Sequence, residues 1–221
     1  MAGELNIEQA RFNMIEQQIR PWEVLDQQVL DAVAAVRREE FVPASYQRLA
    51  FADIQIPLGH SQVMMEPKLE ARMLQSLQIQ SGDTALEIGT GSGYVTALLA
   101  RLASWVTSIE LYEDLSTGAQ QRLKIAGIEN ITLNVGDVLK DWTPRAQYDV
   151  VAVTGSVPQP TTAFHGCVKA GGRLFLIVGS APIMEAMLFT RTAENTWSQE
   201  SLFETMVPPL VGAVRPPSFV F

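Results

Sequence analysis

The stretch Leu86-Glu87-Ile88-Gly89-Thr90-Gly91-Ser92-Gly93-Tyr94 decides the fold. An apolar, β-rich run enters a glycine-rich turn, and the residues after it, Tyr94–Leu102, carry helical periodicity. A turn of this kind belongs at the carboxyl edge of a buried strand in an open α/β sheet, where such sheets bind ligands. Its glycines let a ligand approach the backbone more closely than a Cβ would permit. Outward from this point, β-rich and helical runs alternate: Thr84–Ile88, Tyr94–Leu102, Val106–Glu110, Asp114–Ala126, Ile131–Val135, Tyr148–Thr154, Gln159–Val168 and Arg173–Val178. That alternation predicts a doubly wound α/β fold with a mainly parallel sheet. Two later strand-like runs, Ala186–Arg191 and Phe203–Val214, flank a polar turn at Glu194-Asn195 and predict an antiparallel C-terminal edge hairpin. The Pro208-Pro209 and Pro216-Pro217 pairs should keep the tail irregular.

Upstream, apolar spacing predicts helices over Ile7–Ile19 and Val24–Val36, separated at Pro21, and a further helix opened by Glu66-Pro67 and running to Leu77. The Pro- and Gly-punctuated segment before Pro67 reads as a loop. The whole chain, 1–221, is expected to form one domain, with residues 1–80 as a helical cap and loop and 81–221 as the sheet core.

The chemistry is read from the strand ends. The glycine spacing is G-x-G-x-G, not the G-x-G-x-x-G of dinucleotide folds, and Glu87 stands two residues before the first glycine. A carboxylate there disfavours a pyrophosphate and suits a ligand with a cationic amino group. S-adenosylmethionine carries an ammonium and a sulfonium. Glu110 ends the second strand, where a carboxylate can accept both ribose hydroxyls, and Asp137 follows the third, within reach of an adenine amino group. The expected cofactor set is therefore Glu87, Gly89, Gly91, Gly93, Glu110 and Asp137, with Thr154 at the end of the fourth strand bordering the acceptor side.

Composition narrows the alternatives. A formal charge of -8, with no run of Lys or Arg, argues against nucleic acid as a partner. No apolar stretch approaches the roughly 20 residues that span a bilayer, and Met1–Asn6 lacks the basic and apolar segments of a secretion signal. Cytoplasmic residence is the expectation. One cysteine, Cys167, excludes an internal disulfide and reads as a small buried residue in an apolar helical stretch; the two histidines offer no metal-site spacing. Nothing in the sequence sets the oligomeric state.

Over nearly its whole length the chain resembles the protein-L-isoaspartate O-methyltransferase family. The resemblance rests on Arg37-Arg38-Glu39-Glu40-Phe41-Val42-Pro43, Asp53, Ile56-Pro57-Leu58-Gly59-His60-Ser61-Gln62, Pro67, Leu86–Tyr94, Ser108-Ile109-Glu110, Gly136-Asp137 and Gly171-Gly172-Arg173-Leu174. It implies a Rossmann-like methyltransferase that uses S-adenosylmethionine to methylate the carboxylate of a damaged protein or peptide, with Asp53 and the Gln62–Met65 loop facing the acceptor. The family's usual Gly-Gln-Thr-Ile-Ser-Gln-Pro appears here as Ser61-Gln62-Val63-Met64-Met65-Glu66-Pro67. Val63 stands for the threonine, Met65 for the serine and Glu66 for the glutamine, and Gly-Asp-Gly becomes Gly136-Asp137-Val138. A hydrogen bond to a charged group is worth roughly 1.5–3 kcal/mol, so each missing hydroxyl lowers the expected rate on an isoaspartyl carboxylate about ten- to hundredfold unless another donor replaces it.

No general base is needed, because a carboxylate acceptor is already ionised, and His60 reads as a loop residue. Three other readings stay open: a more apolar acceptor lying against Val63 and Met65, a cofactor-binding protein without transfer activity, and, less in keeping with the glycine spacing, a nicotinamide oxidoreductase.

Overall fold

The computed structural model describes residues 6–140, 142, 144 and 146–213. Val214, the Pro216-Pro217 pair and Met1–Leu5, all invoked above, lie outside the described residues. Among the described residues the chain forms helices α1 (Ile7–Met14), α2 (Gln27–Ala35), α3 (Pro67–Leu77), α4 (Tyr94–Leu102) and α5 (Glu113–Ile125). The strands are β1 (Ile56–Gly59), β2 (Gln62–Met64), β3 (Thr84–Ile88), β4 (Trp105–Glu110), β5 (Ile131–Val135), β6 (Tyr148–Val157), β7 (Val168–Ser180), β8 (Ile183–Ala193) and β9 (Thr196–Thr205).

Seven strands make one sheet in the order β5-β4-β3-β6-β7-β8-β9. The pairings from β5 to β7 are parallel, while β7 with β8 and β8 with β9 are antiparallel. The edge hairpin is therefore present, turned at Glu194-Asn195 as expected, but its second strand is β9 and not Phe203–Val214. The polar residues Ser198 to Glu200 hid that strand from an apolar count; on an edge, one face needs no burial. The alternation of β6 and β7 supplies both faces of the core: Val150, Ala152, Phe175 and Ile177 pack with the N-terminal helices, and Val151, Val153, Leu174 and Leu176 pack with Phe164 and Cys167.

Four further expectations are corrected. The helix read over Gln159–Val168 is only a 3-10 turn, His165–Cys167; Pro158, Pro160 and Gly166 deny the run the donors and the propensity an α-helix requires. Cys167 is buried there, as expected. The loop before Pro67 contains a β-hairpin, β1 with β2, whose two turn residues His60 and Ser61 both have positive φ. A two-residue I′ turn demands that conformation, but its usual Asn-Gly signature is missing here. The N-terminal helix is also interrupted, since α1 passes into a π-turn at Ile15–Ile19 and a 3-10 turn at Arg20–Trp22. Helix α2 begins later than Val24, where Asp26 caps it by accepting the Gln28 N–H at 2.9 Å.

Candidate active site

Strand order reverses between β3, whose other neighbour is β4, and β6, so a crevice opens at the carboxyl ends of these strands. A cleft lies there, lined by residues of the glycine turn, the ends of β3, β4 and β6, and the β1–β2 hairpin. The glycine turn forms its floor. Gly89 has φ +95°, and a Cβ on it would collide with Thr154 Oγ1, which donates to the carbonyls of Ile88 and Gly89 at 2.9 and 2.8 Å. Gly93, with φ +85°, lies against α5, where an added Cβ would stand 3.1 Å from that of Ala119. Gly93 thus sets helix packing and is not on the cleft lining, whereas Gly89 and Gly91 are.

Glu110, at the tip of β4, lines the cleft. Its Oε2 accepts the Gly91 N–H at 2.8 Å and its Oε1 the Tyr112 N–H at 3.1 Å. These two bonds fix the carboxylate at the turn and leave lone pairs for further donors. Asp137 lines the same cleft beyond β5, with Oδ1 accepting the Leu139 N–H at 3.0 Å. Among the described residues, Oδ2 has a long ionic contact of 3.8 Å to Lys140. Two carboxylates holding acceptors over a glycine turn fit the ribose hydroxyls and exocyclic amine of a nucleoside, the donor pattern of S-adenosylmethionine.

Glu87 is different. Side chains alternate along a strand, and Ile88 faces the cleft, so Glu87 points the other way, into the core beside α4. It is fully buried, and its Oε2 accepts from Thr96 at 2.5 Å and from Ser108 at 2.6 Å, while Oε1 has no hydrogen-bond partner among the described residues. Ser108 is in turn linked to Thr90 of the turn at 2.6 Å. Burial pushes the Glu87 carboxyl up to about 8, against the lowering effect of the Ser108 and Thr96 hydroxyls. The side chain braces the turn from behind.

The β1–β2 hairpin supplies the opposite wall, through Leu58, Gln62 and Val63. His60 at its tip stacks on Tyr112, with ring centroids 3.9 Å apart and planes at 8°, and its Nε2 lies 2.9 Å from the Asp114 carboxylate. The Asp114 carboxyl is held below its usual range chiefly by that hydrogen bond. Met65, expected at the acceptor, is buried and absent from the cleft lining, whereas Val63, two residues before it, lines the cleft. Asp53 is not on the lining either. It pairs with Lys68 at 2.6 Å, and the Lys68 ammonium sits 4.5 Å over the Trp22 ring. Of the expected residues, the structure brings together Gln62, Gly89, Gly91, Glu110, Asp137 and Thr154.

Sequence reasoning did not find Tyr112 or the C-terminal wall of Leu210 and Val211. The latter pair is carried by a segment that crosses the end of β6: Ser156 N–H donates to Pro208 at 3.1 Å, and Leu210 N–H to Ser156 at 2.8 Å. No local motif announces such a long-range bridge.

Comparison with known proteins gives this geometry a family. A family model described as protein-L-isoaspartate(D-aspartate) O-methyltransferase matches residues 9–215. The chain belongs to that family. Among its methyltransferase relatives, one from Brucella anthropi, named protein-L-isoaspartate O-methyltransferase, is 34% identical over 208 residues, covering 94% of this chain and 95% of the relative. Another of the same name, from Koribacter versatilis, is 37% identical over 203 residues, covering 91% and 90%. A Plasmodium falciparum crystal structure, titled as a beta-aspartate methyltransferase in complex with S-adenosyl-L-homocysteine, superposes with a TM-score of 0.79 at 17% identity. It covers 94% of this chain and 99% of its own and shares the fold.

No described helix is long and apolar enough to cross a membrane, and the described residues contain no cluster of His, Cys, Asp or Glu suited to a metal ion.

Proposed function

We propose that this protein is a methyltransferase that uses S-adenosylmethionine to methylate the carboxylate of L-isoaspartyl or D-aspartyl residues in proteins or peptides. Membership of the family along almost the whole chain supports the reading. The observation that carries it is that one cleft joins the glycine turn, Glu110 and Asp137 to the Gln62-Val63 face of the hairpin.

Bound S-adenosylmethionine supplies an electrophilic methyl group. For this chain's residues, the work is to hold and orient. Glu110 would accept the ribose hydroxyls and Asp137 the adenine amine, while the hairpin would close the acceptor side and shed water from the attacking oxygen. An ionised carboxylate needs no base, and among the described residues the cleft lining contains no histidine, lysine or arginine. Alignment of the acceptor and exclusion of water can then supply most of the acceleration.

A second reading keeps the cofactor and changes the acceptor. Leu58, Val63, Leu210 and Val211 make the mouth apolar, which favours a more hydrophobic acceptor group. Transfer of labelled methyl to an isoaspartyl peptide, with the aspartyl isomer as control, tests both. Labelling of the isoaspartyl peptide alone supports the first reading; labelling of neither, while an apolar carboxylic acid is methylated, replaces it with the second.

A further inference from the structure

Arg38 is a cation with no exposed surface, placed by a 3-10 turn, Arg38–Glu40. Its guanidinium reaches four residues on three segments. Nε donates to the Ala50 carbonyl at 2.9 Å, ahead of the β1–β2 hairpin. One Nη donates to the Glu70 carboxylate in the first turn of α3. The other donates to the Met65 carbonyl at 2.7 Å, where β2 passes into that helix. The plane lies over the ring of Tyr94, 4.8 Å from its centroid, and Tyr94 is the first residue of α4 after the glycine turn.

A buried ion pair is a weak source of stability, because well-packed apolar side chains of similar volume often do as well. A guanidinium adds direction: its planar fork fixes the relative positions of all the groups it binds. Here those groups belong to the two halves of the site. Met65 stands two residues after Val63, which lines the acceptor wall, and Tyr94 follows the floor that would carry the cofactor.

Resting on the methyltransferase reading above, we propose that Arg38 is a positioning residue for methyl transfer, setting the acceptor strand at its correct distance from the glycine turn through the Met65 carbonyl and the Tyr94 ring. Glu70 supplies the countercharge and is the natural control.

The test compares Arg38→Lys and Glu70→Gln with the unaltered protein. The readouts are kcat on an isoaspartyl peptide at saturating cofactor, cofactor Kd by calorimetry, and amide exchange resolved by segment. A lysine retains the charge but cannot hold three carbonyl and carboxylate partners in one plane. Arg38→Lys should lower kcat about ten- to hundredfold, the scale of a displacement near 1 Å at the reacting centre. Cofactor Kd should stay within about threefold, the spread expected when a positioning contact and not a binding contact is altered. Exchange should accelerate over residues 62–66 while β3 and α4 stay protected. Glu70→Gln should lower the melting temperature with kcat within about threefold, because the Met65 and Ala50 contacts persist.

Unchanged kcat in Arg38→Lys, or a uniform rise in exchange across the chain, overturns the proposal. Should Arg38→Lys not fold, NMR of the Arg38 side chain in the unaltered protein decides: separate, slowly exchanging Nη signals support the held fork, and a single averaged signal refutes it. If the unaltered protein does not methylate the isoaspartyl peptide, the substrate reading fails while the exchange pattern still judges Arg38.

Discussion

Replacing Glu87 with glutamine separates a cofactor ligand from a core brace. The carboxyl titrates at about 8 in the folded protein against the ordinary 4.5, so the folded state keeps a proton that the unfolded chain gives up. This contribution to stability is complete below about pH 4.5 and is lost as pH rises through about 8. A tenfold difference in proton affinity between the two states is worth about 1.4 kcal/mol, so the pH-dependent part is on the order of a few kcal/mol. Glutamine is neutral throughout and of the same shape, and the Thr96, Ser108 and Thr90 hydroxyls that surround this site can rotate to meet its amide. Denaturant unfolding of both proteins between pH 5.5 and 9 should therefore show the unaltered chain losing stability relative to Glu87→Gln as pH rises. Calorimetry should show cofactor Kd within about threefold, since the side chain is not on the cleft lining. A stability difference that does not vary with pH, or a hundredfold loss of affinity, would refute the assignment and restore Glu87 as a ligand of the cofactor ammonium.

Other substitutions probe the cleft itself. Val63→Thr restores a hydroxyl on the lining, and a charge-assisted hydrogen bond should raise kcat/KM on an isoaspartyl peptide about ten- to hundredfold; an unchanged value would show that the acceptor does not lie against residue 63. Met65→Ser, by contrast, empties a buried site and should destabilise by about 2–5 kcal/mol, as large-to-small core changes do, without a gain in rate; thermal unfolding and the same assay check it. Glu110→Ala should weaken cofactor binding about tenfold or more by calorimetry, because it removes both the proposed ribose acceptor and the bonds that fix Gly91 and Tyr112. His60→Ala removes the stack on Tyr112, and the loss of that aromatic contact should speed cofactor dissociation about two- to tenfold in stopped flow.

The sheet core was legible because its signals are local. The boundaries of β3, α4 and β5, and those of α3, match the sequence reading, since buried parallel strands read as apolar runs and proline marks a helix start. Legibility ended where structure depends on distant partners. The β1–β2 hairpin uses His60 and Ser61 at positive φ, and its conformation is held by the stack on Tyr112. The Leu210-Val211 wall exists because Ser156, far back in the chain, pairs with it. Within the site, Glu110 at the end of β4 and Asp137 beyond β5 were expected from their place at strand ends and line the cleft, whereas Glu87 sits inside β3, where strand alternation and not proximity to glycine decides which way it points. Family resemblance placed Met65 at the acceptor, but in this chain the side chain is buried and the Met65 contribution lies in its carbonyl, bound to Arg38.

The most direct measurement is a crystal structure of the protein grown with S-adenosylhomocysteine. The account requires the nucleoside over Gly89 and Gly91, the ribose hydroxyls on Glu110, the adenine amine at Asp137 and no contact from Glu87. A nucleoside bound elsewhere, or one held without Glu110 and Asp137, would contradict it.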